Sequence, residues 1–122
     1  MAAILLVEDD EELAAAIKMW FERKNHKIEA VGTGLEALEL MEYGKFDLII
    51  LDGQLPDMKG VDICRQFRSA GGITPVLMLS GQAFENHVAA GLEAGANDYL
   101  AKPFAMKELA IRIESLAANA NS

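Results

Sequence analysis

Three stretches of the chain are apolar at every position: Ala2–Val7 (AAILLV), Leu48–Leu51 (LIIL) and Val76–Leu79 (VLML). A strand with one face in water alternates polar and apolar residues, so an unbroken apolar run of this length reads as a strand covered on both faces. Weaker segments at Ile28–Val31 and Tyr99–Ala101 fall between and after them, and neither stands as a strand alone. Between these segments the apolar period becomes helical. Leu13, Ile17 and Trp20/Phe21 recur at spacings of three and four, as do Leu35, Leu38 and Met41, and Leu109, Ile113 and Leu116. Val61, Cys64 and Phe67 form a third-residue stripe, and Val88 and Leu92 a shorter one. Thr33 and Glu36 have capping-box spacing at the start of the second helix. Asp10, Glu11 and Glu12 place negative charge at the positive end of the first. Gly44, Gly71 and Gly95 follow helical segments, where a left-handed residue commonly closes the last turn.

Five strand–helix units in 122 residues imply an α/β domain with a parallel sheet and helices on both faces. Right-handed crossovers then favour an open, doubly wound sheet whose ligands sit outside the carboxyl ends of the strands. One folded domain is expected over residues 1–118, with a small, polar, disordered tail at 119–122. Eleven basic against nineteen acidic residues give a formal charge of −8, which speaks against direct contact with nucleic acid or an anionic membrane. The leading apolar run is far too short for a bilayer span and has no basic segment before it. Cys64 is the lone cysteine, so no intramolecular disulfide forms. A cytoplasmic setting is expected. Cys64, Met19, Met41 and Met78 read as packing residues, and His26 and His87 as surface residues without metal-ligand spacing.

The polar residues with chemistry cluster at one end of these units. Glu8 and Asp9 follow the first strand, Asp52 the third, Ser80 the fourth and Lys102 the fifth. Taken singly, each has an ordinary reading: an acidic helix start, a turn aspartate, a loop serine, a solvated lysine. A parallel sheet brings all five to one edge. Two like charges ~4 Å apart repel by roughly 4 kcal/mol at an effective dielectric of 20, so such a cluster protonates or binds a cation. Hard oxygen ligands suit Mg²⁺, and Mg²⁺ beside a lysine suits a phosphoryl group. A carboxylate can itself be the nucleophile, giving an aspartyl phosphate.

These residues lie in four strings, ILLVEDD, DLIILDGQLPDMKG, VLMLSG and GANDYLAKPF, that resemble the receiver domain of two-component response regulators from about Ile4 to Leu116. The resemblance implies a flavodoxin-like five-stranded parallel sheet, (βα)5, with strand order 2-1-3-4-5. It implies that Asp52 accepts a phosphoryl group from a histidine kinase or histidine phosphotransfer protein. Mg²⁺ would be held by Glu8, Asp9, Asp52 and the backbone carbonyl of Gln54. Lys102 and Ser80 would contact phosphoryl oxygens, helped by backbone N–H groups near Gly53 and Gly81. Ser80 and Tyr99 would switch the surface of the fourth helix, fifth strand and fifth helix for a downstream effector protein or output domain. Pro56 and Gly60 would shape the loop after the acceptor, and the Lys102–Pro103 bond would be cis. The chain would phosphorylate and dephosphorylate itself without turning over a separate substrate, so it would not count as an enzyme.

Several positions depart from the family pattern. Ser80 stands where threonine is commoner, and Gly81 where alanine is frequent. Gln54 and Gln82 occupy the two positions that tune phosphoryl lifetime, and neutral amides there leave it open. Asp98, Glu108 and Arg112 match part of the charge pattern of one dimerising subfamily, whereas Val88 and Asn97 do not, so only a weak homodimer stays open. The missing Arg-rich run after the last helix favours a stand-alone receiver. Three alternatives fit less well, one of them a degenerate receiver that serves only to bind protein, against which intact Glu8, Asp9, Asp52, Ser80 and Lys102 argue. Gly32-Thr33-Gly34-Leu35-Glu36-Ala37 fits a dinucleotide-binding fingerprint, with Asp52 twenty residues beyond Gly32, but it follows the second strand and leaves the other site residues unused. A haloacid-dehalogenase-like phosphatase needs a second acid where Gln54 stands.

Overall fold

The computed structural model describes residues 1–81 and 85–120, apart from the side chains of 85–87 and 119–120. The expectations for Gln82, the His87 side chain and residues 121–122 lie outside the described residues. The elements are β1 (Ala3–Val7), α1 (Glu11–Glu22), β2 (Lys27–Val31), α2 (Gly34–Tyr43), β3 (Leu48–Asp52), α3 (Gly60–Ser69), β4 (Val76–Ser80), α4 (Glu85–Glu93), β5 (Asp98–Ala101) and α5 (Met106–Ala120). The strands form one sheet in the order β2-β1-β3-β4-β5, and every pairing is parallel. Helix α5 extends to Ala120, two residues past the boundary expected for the folded part.

The unbroken apolar runs have a direct cause. Ile4, Leu6 and Ile50 enter one core with Ile17 and Phe21 of α1 and Leu109 and Ile113 of α5. Their neighbours Leu5, Val7, Ile49 and Leu51 enter the other, with Ala37 and Met41 of α2 and Ile63, Cys64 and Phe67 of α3. Alternate residues of a central strand point to opposite faces, and helices cover both. Cys64 is fully buried there, and burial pushes its thiol above the ordinary value, as suits an unreactive packing residue.

Caps fix where the helices begin. Asp10 Oδ1 accepts from the N–H groups of Glu12 and Leu13, and Thr33 Oγ1 from that of Glu36. Gly71 and Gly95 adopt positive φ as expected, at 94° and 109°. Gly44 does not: its φ is −84°, and it is glycine because a Cβ would strike the Phe46 ring and the Leu40 carbonyl. The left-handed residue after α1 is Asn25, at φ 67°. Other expectations also fail locally. Leu35, Leu92 and Met19 are exposed rather than packed. His26 is no free surface residue: its Nδ1 accepts from the Ala2 N–H at 3.0 Å, and its ring lies against Phe21.

The end of the sheet away from the site is stitched by Arg68. Its guanidinium donates to the carbonyls of Gly95 (3.0 Å), Gly72 (3.2 Å) and Thr74 (2.7 Å) and to Asn97 Oδ1 (2.9 Å). Asn97 Oδ1 also accepts from the Val76 N–H at 2.9 Å, so one side chain links α3, the approach to β4 and the approach to β5. Arg68→Ala should therefore lower the unfolding free energy by about 2 kcal/mol, the scale of losing a charged donor to several carbonyls. A fall in the urea midpoint checks this.

Candidate functional site

The parallel topology brings the five predicted residues to the carboxyl edge of the sheet. Asp52 and Ser80 are the last residues of β3 and β4 rather than the first after them. Glu8 and Asp9 follow β1, and Lys102 follows β5. Glu8 is fixed by its N–H to Val31 O (3.0 Å), and Lys102 by its N–H to Ser80 O (2.7 Å). The Lys102–Pro103 bond is cis.

The geometry is that of one charged cluster. Glu8, Asp9 and Asp52 each offer a carboxylate oxygen within 4.8 Å of the others. Lys102 Nζ lies 2.7 Å from Glu8 Oε1 and 3.4 Å from Asp52 Oδ2. Glu8 Oε2 accepts from the Asp10 N–H at 3.2 Å. Glu8, Asp52 and Ser80 are the buried polar side chains among the described residues, while Asp9 is exposed. An interior that admits polar groups at this one place costs stability, and function is the usual reason.

Electrostatics follow from that burial. Burial pushes the Glu8 carboxyl up from 4.5 to about 7, and Asp52 adds to the rise against the Lys102 and Asp10 hydrogen bonds. Burial opposes the Lys102 charge, but the Glu8 hydrogen bond and the Asp52 charge outweigh it and hold the ammonium above its ordinary value. The folded chain thus holds the Glu8 proton more tightly than the unfolded chain does. In metal-free buffer its contribution to stability is full below about 4.5 and is lost as pH rises through about 7. Urea titrations of the wild type and Glu8→Gln on either side of this window should show the decline in the wild type alone.

The donor set fits a hard divalent cation. Three carboxylates converge, and Asp9 faces solvent so water can complete a shell. Glu8, Asp9 and Asp52 are the residues that could hold it.

The supporting residues are placed as follows. Gln54 is exposed on the loop after Asp52, and its N–H donates to Asp52 Oδ1 at 3.2 Å. The neighbouring Gly53 N–H is committed to Leu79 O at 2.6 Å. Gly81 is exposed just beyond β4. Pro56 lines a groove with Glu8, Asp9, Gly32 and Thr33. Gly60 is required by close approach and not by φ: a Cβ there would lie 2.5 Å from Asp52 O and 2.9 Å from Gly53 Cα. Half-buried Tyr99 and Ser80 share a cavity of about 230 Å³ with Gln54, Lys59 and Ala90. Asp98 and Glu108 pair with Arg112 of the same chain at 2.8 and 3.5 Å.

One contributor was missed in the sequence. Asp57, at the tip of the loop after Asp52, accepts the Gly34 N–H (2.7 Å) and the Leu35 N–H (3.0 Å) at the start of α2. These hydrogen bonds hold its carboxyl below the usual carboxylate range. The dinucleotide fingerprint is thereby answered locally, because the helix N–H groups that would face a pyrophosphate already face the chain's own carboxylate. Nothing in the loop's sequence names a partner twenty-three residues away.

Comparison with known proteins agrees with the geometry. Residues 4–114 match the response regulator receiver domain family. The response regulator MprA of Mycobacterium leprae is 38% identical over 113 residues, which are 93% of this chain and 50% of that protein. The chain spans about half the length of the curated relatives it matches. Among solved structures, the receiver domain of the Francisella response regulator 1452 superposes with a TM-score of 0.94 at 32% identity, covering 98% of both chains. The receiver domain of a sensor histidine kinase from Pseudomonas aeruginosa PAO1, solved with a magnesium ion coordinated in its active-site cleft, gives 0.87 at 30% identity, covering 96% of this chain and 98% of that one. The chain belongs to the receiver-domain family of two-component response regulators.

Proposed function

We propose that this chain is a phosphorylation switch whose acceptor is Asp52. A carboxylate oxygen of Asp52 attacks the phosphorus of a phosphohistidine on a partner kinase or phosphotransfer protein. The phosphorus–nitrogen bond breaks, imidazole leaves, and an acyl phosphate forms. The observation that supports this best is the pairing of the Lys102 ammonium with buried Glu8 and Asp52, with buried Ser80 at the same edge where strand ends meet. Lys102, 3.4 Å from Asp52 Oδ2, would neutralise a phosphoryl oxygen, and the Gln54 N–H would hold the acceptor. Ser80 would donate to another oxygen, and its movement together with Tyr99 would alter the α4–β5–α5 surface read by an effector or output domain. Glu8, Asp9, Asp52 and the Gln54 carbonyl would hold Mg²⁺, which when bound supplies positive charge to the phosphoryl oxygens. The chain is proposed to return itself to the free state by hydrolysis, with Gln54 and Gln82 setting the lifetime, and to work in the cytoplasm on no separate substrate. Among the described residues no helix is long and apolar enough to cross a membrane.

Incubating the protein with Mg²⁺ and acetyl phosphate, then measuring the intact mass, tests the reading. A gain of one phosphoryl group, mapped to the peptide containing Asp52, is expected. No gain contradicts it. Because the metal needs ionised ligands, stabilisation by Mg²⁺ should grow as pH rises through about 7, the Glu8 value, and melting temperatures measured with and without Mg²⁺ check this.

A further inference from the structure

The loop after Asp52 behaves as one closed unit. The Leu55 N–H donates to Met58 O (3.1 Å) and the Gly60 N–H to Gly53 O (2.9 Å), while Gln54 bridges to Lys59. One end of this unit touches the acceptor, through the Gln54 N–H on Asp52 Oδ1. Its tip is tied to α2 by both oxygens of Asp57. Beside that tie, Met58 packs so closely on Gly34 that a Cβ there would lie 2.8 Å from its sulfur. The loop is therefore fastened at two places, the acceptor carboxylate and the start of α2. A closed loop pinned at both ends cannot shift at Gln54 without loading the hydrogen bonds at Asp57.

We infer that Asp57 is a positioning residue: it anchors the acceptor loop on α2, holds the Gln54 backbone in place for the metal and phosphoryl group, and makes the start of α2 respond to the state of Asp52. The inference rests on the function proposed above and adds a second element, α2, to the part of the fold that changes. Coupling of this kind is reciprocal. If the Asp57 tie favours the occupied site, occupation of the site must tighten the tie by the same factor.

The full chain allows a test with an internal control. Thr33 caps the same end of α2 as Asp57 but belongs to the approach to that helix, not to the acceptor loop. Asp57→Ala and Thr33→Ala should both lower the melting temperature. Calorimetric titration with Mg²⁺ should then separate them. Asp57→Ala is expected to weaken Mg²⁺ binding on the order of tenfold, the low end of what losing a hydrogen-bonded support behind a ligand costs. Asp57→Asn, which keeps one acceptor oxygen, should fall between this variant and the wild type, and Thr33→Ala should bind as the wild type does. In wild-type protein, amide exchange at Gly34 and Leu35 should slow when Mg²⁺ and beryllofluoride are added, and in Asp57→Ala it should not respond. Equal Mg²⁺ affinity in the wild type and Asp57→Ala, with exchange at Gly34 and Leu35 unmoved by occupation, overturns the inference and leaves the proposed function standing. Failure of the wild type itself to bind Mg²⁺ overturns both.

Discussion

Asp52→Asn is expected to take up no phosphoryl group from acetyl phosphate under conditions in which the wild type should gain one. The variant keeps the shape of a residue that is 6% exposed at the end of β3, so the packing around it survives. It removes the negative oxygen proposed to attack phosphorus, and a neutral amide does not replace that nucleophile. The variant should also fold at least as stably as the wild type, because the cluster of Glu8, Asp9 and Asp52 loses one of its mutually repelling charges. Asp52 contributes to the upward push on Glu8, so the Glu8 value should fall below about 7 in the variant. Intact mass reads the first effect, and carboxyl-labelled NMR titration of Glu8 reads the second. A full mass gain in the variant would move the acceptor to Glu8 or Asp9.

Lys102→Ala should slow phosphoryl uptake by two orders of magnitude or more, about what loss of one preorganised charge-stabilising donor costs. The ammonium bridges Glu8 at 2.7 Å and Asp52 at 3.4 Å, so it stands where charge would develop on an incoming phosphoryl group. Its removal also takes away the strongest influence holding the Glu8 value down, and Glu8 should then carry its proton at neutral pH. That response limits the folding cost, since a buried carboxylate that takes up a proton is no longer an unpaired charge. The expected pattern is a folded protein with a greatly reduced rate. Lys102→Arg should not restore the rate, because a planar fork cannot occupy the position of a compact ammonium. Initial rates followed by intact mass check this, and a wild-type rate in Lys102→Ala would remove the lysine from the reaction.

The site and the centre of the fold were legible in the sequence for the same reason. Leu5 and Leu6 face opposite cores, so β1 carries no polar residue until the sheet ends, and the first polar residues after it are Glu8 and Asp9. β3 and β4 repeat the pattern and stop at Asp52 and Ser80. The weaker segments proved to be the two edge strands. Ile28 is the one buried residue of β2 and Leu100 that of β5, because a strand at the margin has less cover. What the sequence did not show depends on contacts across the chain. Gly44 and Gly60 look like turn glycines, but close neighbours and not φ require them. Gly53 and Gln54 are adjacent, yet only the Gln54 N–H reaches the acceptor, because the sheet ladder claims the other. Arg68 and Asp57 act on residues far along the chain, and no local spacing announces either. Leu35 has helical spacing but points outward, since the periodic stripe on α2 is carried by Ala37 and Met41.

Glu8, Asp9, Asp52, Ser80 and Lys102 meet at the carboxyl edge of the sheet, and the proposed function makes that edge one phosphoryl-accepting site. The most direct measurement is a crystal structure of the protein with Mg²⁺ and beryllofluoride. Beryllium is expected on an Asp52 oxygen, Mg²⁺ on the carboxylates of Asp9 and Asp52, and the Lys102 ammonium against a fluoride. Beryllofluoride on any other carboxylate, or a Lys102 ammonium directed away from it, would mean that Asp52 is not the acceptor or that Lys102 does not serve it.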